Sequence, residues 1–313
     1  MGRTVRVRET GLVLVILAMF IVMSFASPYF LTWENMRAMT MAFAVEGIVV
    51  VGMTILLISG GIDLSVGSVV AFAMVIAGWL FLHGMDPWLA SAIAIAASAG
   101  IGALMGLCVT RIGLHHFIVS LAFMVVARGV CLLFTQGRPL GLYTLPPEFK
   151  FIGQGSIGPI PFVIIIFVLF VVVFDVLLRR STAFRKVFYT GSNEKAAAYS
   201  GIRTKRVIFA TTVLCSTLCG LAGVIYMARF GSAQPTFGIG MELNVIAAAV
   251  IGGASLSGGQ GTILGAILGT VLLSVVSSSL ALLDVSVYWQ DIIRGSILLA
   301  AVSFDYYLHK RRM

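Results

Sequence analysis

Residues 160–178 read IPFVIIIFVLFVVVFDVLL, nineteen residues with one charged side chain, Asp175. A helix of this length and apolarity is long enough to cross the ~30 Å hydrocarbon core of a bilayer. The stretch is typical of the whole chain, which is 59% hydrophobic and 11% charged. Soluble domains carry about 25% charged residues. The sequence therefore predicts an integral membrane protein rather than a soluble fold.

About ten stretches of this kind follow one another along the chain. They predict an all-α, polytopic integral membrane protein of about ten transmembrane helices with re-entrant or glycine-broken segments, the eighth stretch being the shortest. The predicted spans are 11–30, 41–59, 66–83, 88–110, 117–135, 160–178, 207–228, 243–257, 262–283 and 287–304. Residues 1–313 are therefore expected to form a single transmembrane domain.

The net charge of +9 is concentrated near both termini and in residues 179–206, which contain eight Lys and Arg residues and are called the basic segment below. The cationic side chains do not form a stripe with aromatic partners, so no nucleic-acid partner is expected. Positive charge favours the cytoplasmic side of a membrane. We therefore expect cytoplasmic termini and a cytoplasmic basic segment. The Gly- and Pro-rich connection 136–159 then lies outside, either as a docking surface or as a plain turn-rich loop.

One glycine-flanked polar string interrupts the apolar pattern near the second span. It reads GGIDLSVG, and its candidate helix-break or substrate-path residues are Gly60, Gly61, Asp63, Ser65 and Gly67. Irregular backbone at membrane depth is tolerated where it is buried in protein or lines a wet cavity, and a carboxylate there is a functional candidate. The structural alternative is that Asp63 and Ser65 cap the following helix.

A related string, GGASLSGG at 252–259, lies at the end of the eighth span and suggests a structural repeat. Its candidate residues, together with the acidic residue that precedes them, are Glu242, Gly252, Gly253, Gly258 and Gly259. Other ionisable residues fall inside apolar stretches, where ion pairs are the expected arrangement: Asp291 is expected to pair with Arg294, and Arg128 with Glu46 or Asp63.

Within the basic segment, small residues alternate with turn-forming ones. The pattern Gly191, Asn193, Ala196, Ala197 and Gly201 predicts a short helix between two glycine-tolerated turns. A surface helix in such a segment can dock into a groove on a partner protein. The alternative, that the charges only fix the topology, explains Lys and Arg but not the Ala and Gly pattern.

The sequence lacks the motifs of an enzyme. It contains no Gly-Lys pair, so the phosphate-binding string G-x-x-x-x-G-K-[ST] is absent, as are G-x-S-x-G and H-E-x-x-H. The four cysteines lie in apolar stretches without neighbouring metal ligands, and no metal site is expected. We therefore expect a chain that is not an enzyme, so any ATP hydrolysis must be supplied by another subunit.

Four motifs in order resemble the inner-membrane permeases of ribose-type ABC importers, whose members also serve xylose, arabinose, galactose, rhamnose and the furanosyl autoinducer. The motifs are GGIDLSVG at 60–67, FIVSLAFMVVARG at 117–129, TGSNEKAAAYSGI at 190–202 and ELNVIAAAVIGGASLSGGQGT at 242–262. The departures are His115-His116, where the family commonly has a proline, and Ser120, where threonine is usual.

The resemblance implies a helical permease of the bacterial inner membrane that moves a monosaccharide, a pentose such as ribose. It implies a cytoplasmic ATPase that holds ATP and magnesium, a periplasmic sugar-binding protein, and a second copy of this chain or a related permease. Membrane lipid surrounds the assembly, and the chain itself binds no cofactor. Gly191, Asn193, Ala196, Ala197 and Gly201 match the family's ATPase-coupling pattern.

Two other interpretations stay open at this stage. The first is an importer permease with another cargo, such as the autoinducer, a branched-chain amino acid or a nucleoside. The second is an ion-coupled secondary carrier in which Asp63 or Glu242 binds the ion.

Overall fold

The structure is a computed structural model that describes the backbone of residues 2–310 and the side chains of residues 9–300, 302 and 303. The basic clusters of the two termini lie outside the residues with described side chains. The helices are α1 (Gly2–Ala26), α2 (Trp33–Ile58), α3 (Val66–Leu82), α4 (Pro87–Leu107), α5 (His116–Thr135), α6 (Pro147–Gln154), α7 (Phe162–Arg180), α8 (Thr182–Ser192), α9 (Glu194–Tyr199), α10 (Thr204–Phe230), α11 (Met241–Ile251), α12 (Ile263–Leu282) and α13 (Val287–Lys310).

A π-helical turn and four very short strands complete the described chain. The π-helical turn, Cys108–Ile112, extends α4. The strands are β1 (Leu140–Gly141), β2 (Ser156–Ile157), β3 (Ile160–Pro161) and β4 (Ser232–Ala233), and they pair antiparallel as β1 with β4 and β2 with β3. The all-α prediction is therefore confirmed apart from these two small pairings.

Among the described residues, seven helices are long and apolar enough to cross a membrane: α1 from Glu9, α2, α4 with its π-helical turn, α5, α7, α10 and α12. The predicted count of about ten is not confirmed. Two of the missing spans are the shorter apolar helices α3 and α11, of 17 and 11 residues. Eleven residues rise about 16 Å as a helix, roughly half of a bilayer core. The helix at the eighth predicted span, 243–257, ends at Ile251, six residues before the predicted end.

The helices differ in how far they are buried. The apolar window of α2 is 78% buried inside the chain and that of α10 is 61% buried, whereas that of α1 is 6% buried. A helix that is apolar on all sides belongs in a core or in lipid. Consequently α2 and α10, which pack against each other, form the centre of the bundle, α3 packs on α10, and α1 lies at the periphery.

Helix starts follow from capping side chains. The Thr32 hydroxyl oxygen accepts from the backbone N–H of Asn35, which begins α2, and Asp86 accepts from two N–H groups at the start of α4. Thr262 accepts from the N–H of Gly265, which begins α12. These side chains satisfy N–H groups that have no partner inside the helix.

One end of the bundle, called the basic end here, is formed by the C-terminus of α2, by α8 and α9, and by the loop 252–262. There the N–H of Gly259 donates to the carbonyl oxygen of Ile58 at 2.9 Å. The hydroxyl of Thr262 donates to the carboxylate of Glu9 on α1 at 2.9 Å. The beginning of α1 and the basic segment therefore lie at the same end, as their charges predict.

The opposite end, called the strand end, contains α6 and all four strands. The connection 136–159 is not a plain loop, because Leu142, Leu145 and Phe149 are fully or almost fully buried in the main core. A Cβ added to Gly153 would collide with the backbone of Arg229, so α6 packs directly on α10. This end therefore presents a structured surface.

Candidate functional site

The string at 60–67 forms a buried turn that starts α3 inside the bundle. Asp63 and Ser65 are both fully buried. One carboxylate oxygen of Asp63 accepts from the Ser65 backbone N–H at 2.7 Å and from its hydroxyl at 2.6 Å. The other, Oδ2, has no hydrogen-bond partner among the described residues. Ser65 is the N-cap residue of α3, but its side chain does not cap the helix. The predicted capping role is therefore replaced by a local turn.

His116 connects this turn to the centre of the bundle, and sequence analysis missed it. Its Nδ1 lies 2.7 Å from the carbonyl oxygen of Ile62, and its Nε2 lies 3.0 Å from the hydroxyl oxygen of Thr212 on α10. The ring is buried, whereas that of the preceding His115 is exposed. The sequence contained a signal for this role, namely the histidine pair at the position where the family commonly has a proline. A histidine side chain can hydrogen-bond through both ring nitrogens, whereas a proline side chain cannot hydrogen-bond.

Gly191, at the end of α8, lies where the two glycine strings meet. A Cβ on Gly191 would collide with the Ile58 carbonyl oxygen, and a Cβ on Gly258 would lie 2.7 Å from the Gly191 carbonyl oxygen. A Cβ on Gly60 would lie 3.9 Å from the Gly191 Cα. One backbone contact therefore joins the basic segment, the end of α2 and the second glycine string.

The second glycine string stays at the basic end as the loop between α11 and α12. Gly253, Gly258 and Gly259 have positive φ angles of 107°, 82° and 73°, which only glycine adopts readily. Gly252 packs against the first turns of α12, because a Cβ there would collide with the Gly265 carbonyl oxygen. The structure therefore places this string beside Gly191.

The short helix predicted in the basic segment is α9, but its first turn is not made by glycine. Asn193, with φ −161° and ψ 100°, separates α8 from α9, and its side chain accepts from the N–H of Ala196 at 3.0 Å. Gly201, with a φ of 82°, makes the second turn as predicted. Gly191 lies within α8, where the lack of a side chain allows close packing, and it does not form a turn.

The predicted coupling residues of α9 differ in exposure. Ala197 is 5% exposed, so its side chain faces the bundle. Lys195, Ala196 and Tyr199 are exposed, and the exposed fraction of Tyr199 is 93%. A cavity of about 300 Å³ opens beside this face, lined by Lys186, Gly201, Arg203, Arg206 and Val207. This surface offers an aromatic side chain and a cationic pocket.

Glu242 and Gly67 meet in the middle of the bundle. Glu242 lies in the first turn of α11, and one of its carboxylate oxygens would lie 3.1 Å from a Cβ on Gly67. The same Cβ would collide with the Gly238 carbonyl oxygen. The starts of the short helices α3 and α11 therefore touch each other. Asp63 and Glu242 are the carboxylates of the two predicted path strings.

The predicted partner of Arg128 was wrong. Its guanidinium donates to the carbonyl oxygens of Pro235 and Phe237, at 2.5 and 2.8 Å, rather than pairing with Glu46 or Asp63. Irregular backbone between α10 and α11 leaves carbonyl groups free, and a guanidinium satisfies two of them at once. The predicted pair of Asp291 and Arg294 is confirmed at 3.3 Å.

Comparison with known proteins gives a consistent result over almost the whole chain. A family described as branched-chain amino acid transport system / permease component matches residues 35–302. The ribose import permease protein of Bacillus subtilis (strain 168) is 36% identical over 95% of this chain and 92% of its own length.

Two further relatives agree in coverage. The ribose import permease protein of Escherichia coli (strain K12) is 35% identical over 95% of this chain and 93% of its own length. The L-arabinose ABC transporter permease protein of Azospirillum brasilense is 34% identical over 98% of this chain and 90% of its own length. No solved structure matches the chain significantly. The chain therefore belongs to this family of transport-system permease components, and it is a multi-pass protein of the inner membrane.

Proposed function

We propose that this chain is the membrane-spanning subunit of an ATP-binding-cassette importer that moves a monosaccharide, a pentose such as ribose, into the cytoplasm. The observation that carries the proposal is the set of relatives, which are 34–36% identical over 95% or more of this chain and whose names specify ribose or L-arabinose. A D-allose permease protein at 32% identity extends the range to a hexose.

The family description favours a second cargo, a branched-chain amino acid. Such a zwitterion is expected to need fixed charges or a helix N-terminus at its carboxylate. A neutral sugar needs hydrogen-bonding groups instead. The relatives named above favour the sugar, and a cargo panel that includes leucine separates the two.

In this proposal the ATPase docks on α9 and the pocket beside it. The exposed aromatic ring of Tyr199 and the cations Lys186, Arg203 and Arg206 suit a partner groove that carries acidic side chains. ATP and magnesium are held by that partner, and this chain contributes no cofactor site. We also propose that residues 1–313 form one transmembrane domain with cytoplasmic termini.

Gly191 then couples ATP hydrolysis to the transport path. Movement of α8 pushes on Ile58 and Gly259 through backbone contacts. Ile58 ends α2 and Gly259 precedes α12, so both helices respond together. The proposed mechanism is alternating access driven by this displacement.

At the strand end, the structured surface around α6 is the proposed docking site for a periplasmic sugar-binding protein. Tyr143 is 88% exposed there, and Arg37 fixes the adjacent hairpin by donating to Ser156 at 3.1 Å. A second copy of this chain, or a related permease, completes the membrane part.

The test is uptake of labelled ribose, arabinose, allose and leucine by proteoliposomes that contain this chain, its ATPase and its binding protein. The expected result is ATP-dependent uptake of one sugar only when all three proteins are present. Uptake of leucine alone would instead support the second cargo. Uptake by this chain alone under a proton or sodium gradient would overturn the importer in favour of an ion-coupled carrier.

A further inference from the structure

Residues 231–240 connect α10 to α11 and are called the descending segment here. The segment starts at the strand end, where Ala233 pairs with Leu140. It ends in the middle of the bundle, where a Cβ on Gly238 would lie 2.8 Å from the carbonyl oxygen of Gly67. Gly67 is about 22 Å along α3 from the last residue of that helix, Leu82. The descending segment therefore reaches membrane depth without being a helix.

In the half of this segment that is nearest α11, most backbone N–H groups have no acceptor among the residues that the structure describes. Within 236–240, Phe237 alone donates its N–H to a carbonyl oxygen among the described residues, that of Gln234 at 3.2 Å. The N–H groups of Thr236, Gly238, Ile239 and Gly240 have no such acceptor. Hydrocarbon cannot replace the missing hydrogen bonds, so an unsatisfied N–H group in contact with lipid is strongly unfavourable.

Polar side chains on the same stretch also lack hydrogen-bond partners among the described residues. Gln234 and Thr236 are exposed and Asn244 is half-exposed, and none of the three side chains has a hydrogen-bond partner among the described residues. The neighbouring helix α5 instead exposes apolar side chains such as Val125 and Leu133. The surface therefore changes from apolar on α5 to mixed on residues 234–244, where these polar groups alternate with the exposed apolar side chains Ile239 and Leu243.

Contacts with α5 and α10 fix the irregular conformation of the descending segment. Arg128 on α5 donates to the carbonyl oxygens of Pro235 and Phe237, and the Phe237 ring lies 4.6 Å from that of Tyr226 on α10. These contacts fix the carbonyl side of the segment against the bundle. Its N–H groups and its exposed polar side chains are left for something outside this chain.

We infer that residues 234–244 line a water-filled path and hydrogen-bond to the hydroxyl groups of a neutral polyol as it passes. Water satisfies the free N–H groups when the path is empty. The N–H groups, the Thr236 hydroxyl and the two amides then offer donors, and the Glu242 carboxylate accepts from a hydroxyl. The cargo part of this inference rests on the proposed function, whereas the presence of water does not.

The first experiment measures water access by labelling single cysteines with a charged, membrane-impermeant thiol reagent in the permease–ATPase complex, without the binding protein that is proposed to dock at Tyr143. Thr236→Cys and Asn244→Cys are the test variants. Leu133→Cys, 75% exposed on α5, is the matched control for a lipid-facing site, and Tyr143→Cys at the strand end is the positive control. The unmodified chain gives the background from its four native cysteines.

The expected result is that both test cysteines react at least about tenfold faster than Leu133→Cys, because the reactive thiolate forms in water and not in an apolar environment. If Thr236→Cys and Asn244→Cys react as slowly as Leu133→Cys while Tyr143→Cys reacts, the segment is covered by lipid or by a dry protein contact and the inference is wrong.

The second experiment adds the transported sugar, with its binding protein, to the same reaction. Slower labelling of Thr236→Cys in the presence of sugar supports contact with the cargo. Fast labelling that no sugar changes removes the cargo contact but leaves the water path intact. The uptake assay with all three proteins decides the proposed function independently of either outcome.

Discussion

The backbone N–H of Gly259 donates to the carbonyl oxygen of Ile58 at 2.9 Å, and this bond joins the loop after α11 to the end of α2. Gly191 lies against the same carbonyl oxygen. Three motifs that are far apart in the sequence therefore meet through backbone atoms. Because backbone atoms make this contact, small changes there are expected to have large effects.

Gly191→Ala is expected to disrupt this contact. The new methyl group would collide with Ile58, and overpacking of this kind costs about 1–3 kcal/mol. We expect reduced ATP-driven uptake and a lower unfolding temperature in detergent. Gly100→Ala in α4 is the matched control, since a Cβ there meets nothing within 4 Å. Equal behaviour of the two variants would remove Gly191 from the coupling mechanism.

Tyr199→Ala tests the docking face of α9. Loss of an exposed aromatic side chain at a protein interface is expected to weaken ATPase binding by about tenfold, or ~1.4 kcal/mol, with the fold unchanged. The measurement is binding of the purified ATPase to the permease. Tyr143→Ala removes an equally exposed tyrosine at the strand end and is expected to leave ATPase binding unchanged. Unchanged binding by Tyr199→Ala would move the docking site away from α9.

Asp63→Asn separates a structural role from an ion-binding role. The amide oxygen of asparagine can still accept from Ser65, so we expect the fold and ATP-driven uptake to be retained. Asp63→Ala leaves the buried N–H of Ser65 unpaired and its hydroxyl with only the weak acceptor Met105 Sδ, and it is expected to cost about 1–3 kcal/mol of stability. If Asp63→Asn abolishes uptake without unfolding the chain, the carboxylate charge takes part in transport.

His116→Ala is expected to destabilise the chain by about 1–3 kcal/mol, because it removes the bonds to Ile62 and Thr212 inside the bundle. His115→Ala is the control, since that neighbouring side chain is exposed and contributes little. Thermal unfolding of both variants in the same detergent checks the difference. Equal unfolding temperatures would show that the link between the 60–67 turn and α10 is dispensable.

Sequence alone determined the membrane class and the helical architecture, because long apolar runs have no other stable arrangement in a bilayer. It also located α9 and its closing turn, since the asparagine and glycine act within a few residues of themselves. The contact of Asp291 with Arg294 was predictable for the same reason, as residues three apart share a helix face.

Only the tertiary structure decided which distant groups meet. The partners of Arg128 are carbonyl oxygens of irregular backbone, and no sequence pattern marks a carbonyl group that lacks a hydrogen bond. The burial of Ala197 and the exposure of Tyr199 depend on the way α9 lies on the bundle. The meeting of Gly191 with Ile58 and Gly259 likewise follows from helix packing, which brings together residues that local propensity treats as independent.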